Sequence, residues 1–246
     1  MANKGIHVIE AKSITKKFKK FVAVDSISFE PKKGEIFGLL GLNGAGKTTT
    51  QRIVSTVFRP TSGEALVNGF SITNEASKVR KSIGFVPTEV GLYDRLTGRE
   101  VVRYFGRLND MEGRDLEERI DTVIGILSLG EYADRKCGEL SRGNKQKVAI
   151  ARAIVHDPPV FLFDEPTSGL DVLAARGVID FMKKSRDDGK TTLYSTHVMS
   201  EAEEVCDKIG VIHDGRLLYT GGLKEFIEGK RGLEEAFTDA LRMNAK

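Results

Sequence analysis

The stretch GLLGLNGAGKTTT, Gly38 to Thr50, decides the fold, because its glycines have the spacing of a loop that wraps around phosphate groups. Within it the pattern G-x-x-x-x-G-K-T runs from Gly41 to Thr48. The apolar strand pattern EIFGLL leads into it and a helix pattern, TTTQRIVSTV, follows it, which is the context that this motif requires. The sequence therefore predicts a nucleotide triphosphate site at a strand-to-helix turn.

This loop offers three kinds of contact to a triphosphate. Its glycines let backbone N–H groups turn inward around phosphate oxygens. Lys47 reaches the β and γ phosphates, and Thr48 offers a hydroxyl to Mg²⁺. The alternative is a glycine-rich turn without a ligand. We expect nucleotide contacts from Gly41, Asn43, Gly44, Ala45, Gly46, Lys47, Thr48 and Thr49.

Two acids end the apolar run of VFLFDEP, Val160 to Pro166. A continuous apolar run is typical of a parallel strand that is buried on both faces. Because ligands of open α/β sheets gather at the carboxyl ends of the strands, we expect Asp164 and Glu165 beside the phosphates. Asp164 would hold Mg²⁺ through water, and Glu165 would orient or deprotonate the attacking water. The alternative is that both acids only cap the next helix.

His197 closes the stretch LYSTH, after the next strand pattern, and is expected at the same edge of the sheet. A lone histidine is more often structural, but the neighbouring motifs favour a hydrogen bond to the γ-phosphate or to the attacking water. We therefore predict a catalytic set of Lys47, Glu165 and His197.

The composition excludes several classes of function. The chain has 246 residues, enough for one large α/β domain or a domain with an insertion. Its 38 Lys+Arg against 35 Asp+Glu leave a net charge of +3, which argues against a nucleic-acid binder or a polybasic membrane anchor. Cys137 and Cys206 have no close partner or histidine cluster, so neither a disulfide framework nor a zinc site is expected.

The sequence contains no apolar run long enough to cross a bilayer, and the start MANKGIHVIE lacks the apolar core of a signal peptide. The sparse cysteines are typical of a reducing compartment. If the function involves a membrane, we expect another chain to span it.

The order of the patterns predicts an α/β fold. Short β-type runs fill the first part of the chain, beginning with IHVIEAKSITKKF. Helical spacing then dominates, before strands and helices alternate up to a hairpin pattern, KIGVIHDGRLLYTGG. We predict a P-loop NTPase core with a mainly parallel sheet, a β-rich N-terminal part and an inserted α-helical subdomain. The expected boundaries are 1–246 for the single domain, 1–87 and 158–246 for the core with its β subdomain, and 88–157 for the helical subdomain.

Five stretches follow one another along the chain: the P-loop, LSRGN at 140–144, VFLFDEP, SGLD at 168–171 and STH at 195–197. This set resembles the nucleotide-binding subunit of ABC transporters, and the likeness covers essentially the whole chain. The resemblance implies an ATPase that uses ATP and Mg²⁺, a head-to-tail homodimer that forms with ATP, and an integral membrane permease as partner. It also implies that the β-rich N-terminal part is an N-terminal antiparallel β subdomain, and that the chain is located at the cytoplasmic face of the cell membrane.

The resemblance implies roles for residues outside the P-loop. In the family the counterpart of LSRGN, usually LSGGQ, binds the γ-phosphate of ATP held by a second copy, a task that falls here on Ser141 and Gly143. The family's D-loop matches Ser168 to Asp171 and would line the seam between the copies. The aromatic residue that stacks on adenine falls on Phe18, with Phe21 as a competing candidate.

This sequence departs from the family pattern in two places. Thr88 stands where the family's Q-loop has Gln, and its shorter side chain still offers a hydroxyl to the metal shell or the attacking water. LSRGN has Arg142 and Asn144 where Gly and Gln are common. Arg142 either adds charge to the phosphate site or points into solvent.

The stretch GLYDRLTGREVVRYFGRL and the ending GLEEAFTDALR resemble the ATPases of bacterial two-gene exporters of the ABC-2 type, including those that extrude sodium or drugs. We therefore expect a subunit that hydrolyses ATP to power export through a separate permease. The alternatives are an ABC-type ATPase without a transport role and a P-loop kinase for a small molecule. A kinase would leave LSRGN, SGLD and STH unexplained, and a GTPase would need an N-K-x-D motif that the sequence lacks.

Overall fold

Two sheets organise the chain. The computed structural model describes residues 7–244, so Ile6, where the first strand is predicted to begin, lies outside the described residues. The strands of residues 7–244 are β1 (Ile9–Phe18), β2 (Phe21–Phe29), β3 (Ile36–Leu40), β4 (Ser62–Val67), β5 (Phe70–Ser71), β6 (Ile83–Val86), β7 (Val160–Asp164), β8 (Thr191–Thr196), β9 (Lys208–His213) and β10 (Arg216–Gly222).

The larger sheet has the order β10-β9-β3-β8-β7-β6, and its strands are parallel except for β10, which pairs antiparallel with β9. The smaller sheet, β2-β1-β4-β5, is antiparallel throughout. The prediction of a mainly parallel sheet with an N-terminal antiparallel β subdomain is confirmed.

The helices that the 3.6-residue periodicity predicts are present, with one difference at the end of the first helix. The helices of residues 7–244 are α1 (Lys47–Val54), α2 (Ala76–Ser82), α3 (Gly98–Leu108), α4 (Gly113–Ile126), α5 (Arg142–Ile154), α6 (Val172–Asp187), α7 (Met199–Val205), α8 (Leu223–Phe226) and α9 (Leu233–Asn244). The pattern TTTQRIVSTV predicts a helix that continues to Val57. It ends earlier because Thr56 adopts a left-handed φ of 67°, which a helix cannot continue through. Within residues 7–244, none of the helices combines the length and the apolar character that crossing a bilayer requires.

The larger sheet is buried on both faces, which explains the continuous apolar run of β7. Phe161 and Phe163 point to the helical side, where they pack with residues of α3 to α6. Val160 and Leu162 point to the other side, into a cluster that contains residues of α1 and of the antiparallel sheet. Burying each such side chain stabilises the fold by roughly 1.5–3 kcal/mol, so β7 is anchored firmly at the position where its two acids follow.

A hairpin near the end of the chain supports the predicted phosphate loop. β9 and β10 are joined by Asp214 and Gly215, both with positive φ (45° and 79°), as the two-residue turn of a twisted hairpin requires. The Gly215 N–H donates to the carbonyl of Ala45 at 3.0 Å, and its carbonyl accepts from the Asp25 N–H at 2.8 Å. The loop after β3 is thus held between β2 and this turn.

Candidate nucleotide and metal site

The loop between β3 and α1 has the shape of an anion cradle. Gly44 and Gly46 have φ values of 83° and 113°, which only glycine adopts at little cost. A Cβ on Gly46 would also lie 2.7 Å from the carbonyl oxygen of Ala23. Gly46 caps α1 without a side chain, so the first N–H groups of that helix are open to a ligand.

Lys47 begins α1, and its ammonium group lies among oxygen atoms. Its Nζ donates to the carbonyls of Gly41 at 2.8 Å and Leu42 at 3.1 Å, and lies 3.2 Å from Oε1 of Glu165. The side chain is 4 % exposed, so the charge acts in a medium that screens it little. Such a cation is suited to binding the outer phosphates of a triphosphate.

Asp164 ends β7 and is 1 % exposed, and three hydroxyl groups surround its carboxylate. Oδ1 accepts from Ser195 at 2.6 Å and Thr48 at 3.2 Å, and Oδ2 accepts from Thr88 at 2.8 Å. One carboxylate and several hydroxyl oxygens form a donor set that suits Mg²⁺, a hard cation that prefers oxygen. The predicted metal residues Thr48, Thr88 and Asp164 therefore meet at one point.

Glu165 has a left-handed backbone, with φ at 49°, although it is not glycine. Outliers of this kind cluster at functional sites. The turn directs the carboxylate between two other predicted catalytic residues: Oε1 lies 3.2 Å from Lys47 Nζ, and Oε2 lies 3.2 Å from Nδ1 of His197. The set of Lys47, Glu165 and His197 is thus brought together by the ends of β7 and β8 and the start of α1.

An open cavity of about 440 Å³ lies in front of the loop. Eight of the predicted site residues line it: Asn43, Gly44, Gly46, Lys47, Thr48, Thr49, Thr88 and Glu165. Of the remaining predictions in this region, Gly41 binds Lys47 through its carbonyl, Ala45 is buried beneath the loop, and Asp164 lies under Thr48 and Thr88.

The two candidate adenine-stacking residues face each other across the turn between β1 and β2. Phe18 pairs with Phe21 in the strand ladder, but their rings have different surroundings. Phe21 is 64 % exposed and lines the cavity. Phe18 is 40 % exposed, packs edge-on against Phe58 with ring centres 5.5 Å apart, and does not line the cavity. The position of Phe21 makes it the stronger candidate on geometry, and Phe18 stays a prediction from the resemblance.

Ser141 and Gly143 lie at the start of α5 and do not line this cavity. Ser141 caps the helix, with its Oγ accepting from the Asn144 N–H at 3.2 Å. Gly143 faces α6, because a Cβ on it would lie 3.0 Å from that of Ala174. Within one chain, the predicted second phosphate contact is therefore separate from the P-loop cavity.

Two further residues, Ser195 and Glu201, contact residues of this region without having a predicted role. Ser195, the third hydroxyl on Asp164, is directly opposite it in the register of β7 and β8, so the parallel pairing was the signal that could have found it. Glu201 of α7 accepts from Thr167 and from Tyr194, both at 2.7 Å. Burial raises the pKa of the Tyr194 hydroxyl well above its ordinary value, so that group remains a donor. Nothing in the spacing of Glu201 indicates this link.

Comparisons with known proteins agree with this geometry. A profile of the ABC transporter family matches residues 24–168, more than half of the chain. The ABC transporter ATP-binding protein NatA of Bacillus subtilis is 40 % identical over 210 residues, covering 85 % of each chain. The linearmycin resistance ATP-binding protein LnrL of the same organism is 36 % identical over 245 residues, covering 96 % of this chain and 79 % of its own.

A solved structure extends the comparison to the reaction. The dimeric post-hydrolysis state of the ATP-binding cassette MJ0796, with ADP and Pi bound, superposes with a TM-score of 0.80 at 29 % identity, over 87 % of this chain and 98 % of that one. The chain belongs to the ABC transporter family. It is an ATP-binding cassette of that family and hydrolyses ATP.

Proposed function

We propose that this chain is the ATPase subunit that powers export of a substrate through a separate membrane permease. The family and the names of NatA and LnrL support the transport role. The observation that carries the proposal is the convergence of Lys47, Asp164 and Glu165 beside an open phosphate cradle.

In the proposed reaction Glu165 accepts a proton from the water that attacks the γ-phosphorus of ATP, and the bond from that phosphorus to the leaving ADP oxygen breaks. Lys47 neutralises charge on the transferring phosphate, and the open N–H groups of α1 hold the β-phosphate. His197, beside Glu165, donates to the γ-phosphate or orients the water. Removing one preorganised donor of this kind commonly costs about 3 kcal/mol of barrier, roughly a hundredfold in rate.

We propose that Mg²⁺ is held by Thr48 and Asp164, with Thr88 at the edge of its shell. The three side chains offer oxygen atoms only, and Thr48 and Thr88 already bind Asp164 from two sides. When bound, Mg²⁺ would supply positive charge against the phosphate oxygens.

The proposed assembly is a head-to-tail homodimer in which Ser141 and Gly143 of one copy meet the ATP held by the other. Dimeric cassettes of the family support it. So does the surface beside α5, where Val172 and Leu173 at the start of α6 are each 84 % exposed. Adjacent apolar side chains this exposed favour burial against another molecule.

The proposed partner is an integral membrane permease, which would place this chain at the cytoplasmic face of the membrane. We propose that the segment 88–157 acts as the helical subdomain that passes motion to the permease. It contains Thr88, which touches Asp164 at one end, and α5 with Ser141 at the other. ATP would close the dimer and hydrolysis would reopen it.

Replacing Glu165 tests the proposal directly. Glu165→Gln should bind ATP, turn over at least about 100-fold more slowly and accumulate as an ATP-bound dimer, because the amide keeps the shape but cannot accept the proton. Turnover can be measured as phosphate release and the dimer by size-exclusion chromatography. Lys47→Ala is the matched variant that should lose ATP binding itself. Near-normal turnover of Glu165→Gln would remove Glu165 from this role.

A further inference from the structure

The loop Thr167–Asp171, which follows Glu165 and is called the connecting loop here, is held from two sides. On one side the Thr167 hydroxyl donates to Oε2 of Glu201. Glu201 belongs to α7, a helix that begins two residues after His197. On the other side the Ser168 carbonyl accepts from Nη2 of Arg142 at 2.8 Å. The first contact fixes the connecting loop to α7, and the second fixes it to the start of α5.

The second contact depends on the absence of a side chain at Gly169. A Cβ there would lie 2.3 Å from Cζ of Arg142, so the guanidinium occupies the space against the backbone of the connecting loop. Gly169 also has a φ of 68°, which favours glycine. The Arg142 guanidinium therefore contacts the backbone of the connecting loop, while the residue as a whole stays exposed to solvent.

The contact between Arg142 and Ser168 belongs to a short path of bonds that joins the start of α5, at Ser141, to the backbone of Glu165. Ser141 precedes Arg142 and caps α5. Arg142 holds the carbonyl of Ser168, and the Ser168 N–H donates to the carbonyl of Glu165 at 3.1 Å. Only Arg142 and Ser168 separate the two ends of this path, and each step is a direct bond.

We propose that Arg142 is a positioning residue that couples the Ser141 end of α5 to the backbone of Glu165. This inference rests on the proposed function, in which Ser141 meets ATP of a second copy. When α5 docks on that nucleotide, Arg142, the connecting loop and the Glu165 turn shift together. The catalytic site of one copy therefore responds when the same copy contacts the ATP held by its partner. A residue without a side chain at position 142 cannot make this link.

The contact can be tested in the single chain, without nucleotide. Hydrogen exchange of the backbone amides at 168–171 should be about tenfold faster in Arg142→Ala than in the wild type, because losing the anchor lets the connecting loop open more often. The amides of β7 serve as the internal control and should not change. Equal exchange of the connecting loop in both proteins would overturn the proposal, whether or not the chain proves to be an exporter subunit.

The coupling is tested by kinetics. Arg142→Ala should lower kcat for ATP hydrolysis on the order of tenfold while KM and the ATP affinity of the monomer stay within about twofold, since the residue touches neither ATP nor Mg²⁺ in its own site. An unchanged kcat would overturn the coupling. So would a raised KM with weaker ATP-dependent dimerisation in the Glu165→Gln background, because that result assigns Arg142 to the partner's phosphate.

Gly169→Ala separates the position of Arg142 from its charge. The new Cβ displaces the guanidinium but leaves the charge in place, so this variant should reproduce the low kcat of Arg142→Ala. Combining both changes should add little beyond the backbone strain, because they remove the same contact. A fully additive double variant, or a Gly169→Ala enzyme with wild-type kcat, would contradict the proposal. A wild-type chain that neither cleaved ATP nor dimerised would instead overturn the proposed function.

Discussion

Asp164 shows how much of this site depends on single hydroxyl groups. A buried carboxylate is costly unless donors satisfy it, and Asp164 has donors from Thr48, Ser195 and Thr88. The short side chain of Thr88 donates directly to the carboxylate of Asp164, at 2.8 Å. The segment that begins at Thr88 is therefore linked to the proposed metal site through Asp164.

Removing the Thr88 hydroxyl should change the Mg²⁺ concentration that ATP hydrolysis requires. Thr88→Val keeps the shape but leaves Oδ2 of Asp164 without its donor, which should raise the Mg²⁺ concentration for half-maximal hydrolysis about fivefold, a loss near 1 kcal/mol. Thr88→Ser retains the hydroxyl and should behave like the wild type. A titration of ATPase activity with Mg²⁺ measures both, and equal curves for Val and Ser would place Thr88 outside the metal shell.

The adenine contact is open to a paired test. If Phe21 stacks on the base, Phe21→Ala should weaken ATP binding by roughly tenfold. This corresponds to the lower part of the range of about 1–3 kcal/mol that stacking of a base on an aromatic ring contributes. Phe18→Ala should then cost little, since its ring packs against Phe58. Titration of both variants with a fluorescent ATP analogue decides between them. The reverse order of affinities would return the role to Phe18.

The P-loop residues are predictable from their spacing because they follow one another in a single loop, whose geometry depends on residues that are neighbours in sequence. Asp164 and Glu165 are predictable from a rule about where parallel strands end. The positions of Arg142 and Glu201 depend on which helices pack together, and no local pattern carries that information. The stacking residue falls between the two cases, because Phe18 and Phe21 are neighbours whose rings differ only in tertiary surroundings.

The elements themselves followed from periodicity where they are long. β7 is recognisable because both of its faces are buried, and α4 because its buried residues recur at helical spacing. β5, with two residues, and α2, with seven, are too short for a period to emerge, so no pattern in the sequence predicts them.

His156, two residues beyond the end of α5, should make stability sensitive to acid. Nε2 of His156 lies 3.1 Å from the carbonyl oxygen of Ile83, and Nδ1 is buried without a partner among the described residues. Burial lowers the pKa of His156 below its ordinary value. The unfolded chain therefore binds a proton more readily than the folded one, and stability falls as the pH drops below about 6.5.

His156→Gln should remove part of this pH dependence, because glutamine can still donate to Ile83 but does not titrate. We expect the urea midpoint of the wild type to decrease more between pH 7.5 and 5.5 than that of the variant. Unfolding followed by circular dichroism at both pH values measures the difference. A variant that loses as much stability as the wild type would assign the acid sensitivity to other groups.

At the scale of the whole molecule, Ser141 lies apart from the P-loop cavity of its own chain. The proposed chemistry therefore needs residues from two copies. Ser141→Asp keeps a helix cap but adds a negative charge where the partner's triphosphate would lie. It should reduce ATP-dependent dimerisation at least about tenfold in the Glu165→Gln background, because like charges repel at close range, while monomer affinity for ATP stays unchanged.

Ser141→Asn is the matched control, because asparagine caps a helix as well as aspartate and carries no charge. Analytical ultracentrifugation with and without ATP should show dimers of the Asn variant and monomers of the Asp variant. Equal dimerisation of the two, or loss of monomer binding in the Asp variant alone, would contradict contact between Ser141 and a second copy's ATP.

The place of β3 between β8 and β9 has a consequence for how the protein is made. Residues 36–40 leave the ribosome early, but the strands on both sides of them, and the Gly215 N–H that supports Ala45, arrive up to about 175 residues later. At ordinary rates of translation that is a wait of roughly 10–35 s. The phosphate cradle is therefore completed only near the end of synthesis, and a nascent chain carries the whole motif long before it has a pocket able to hold nucleotide.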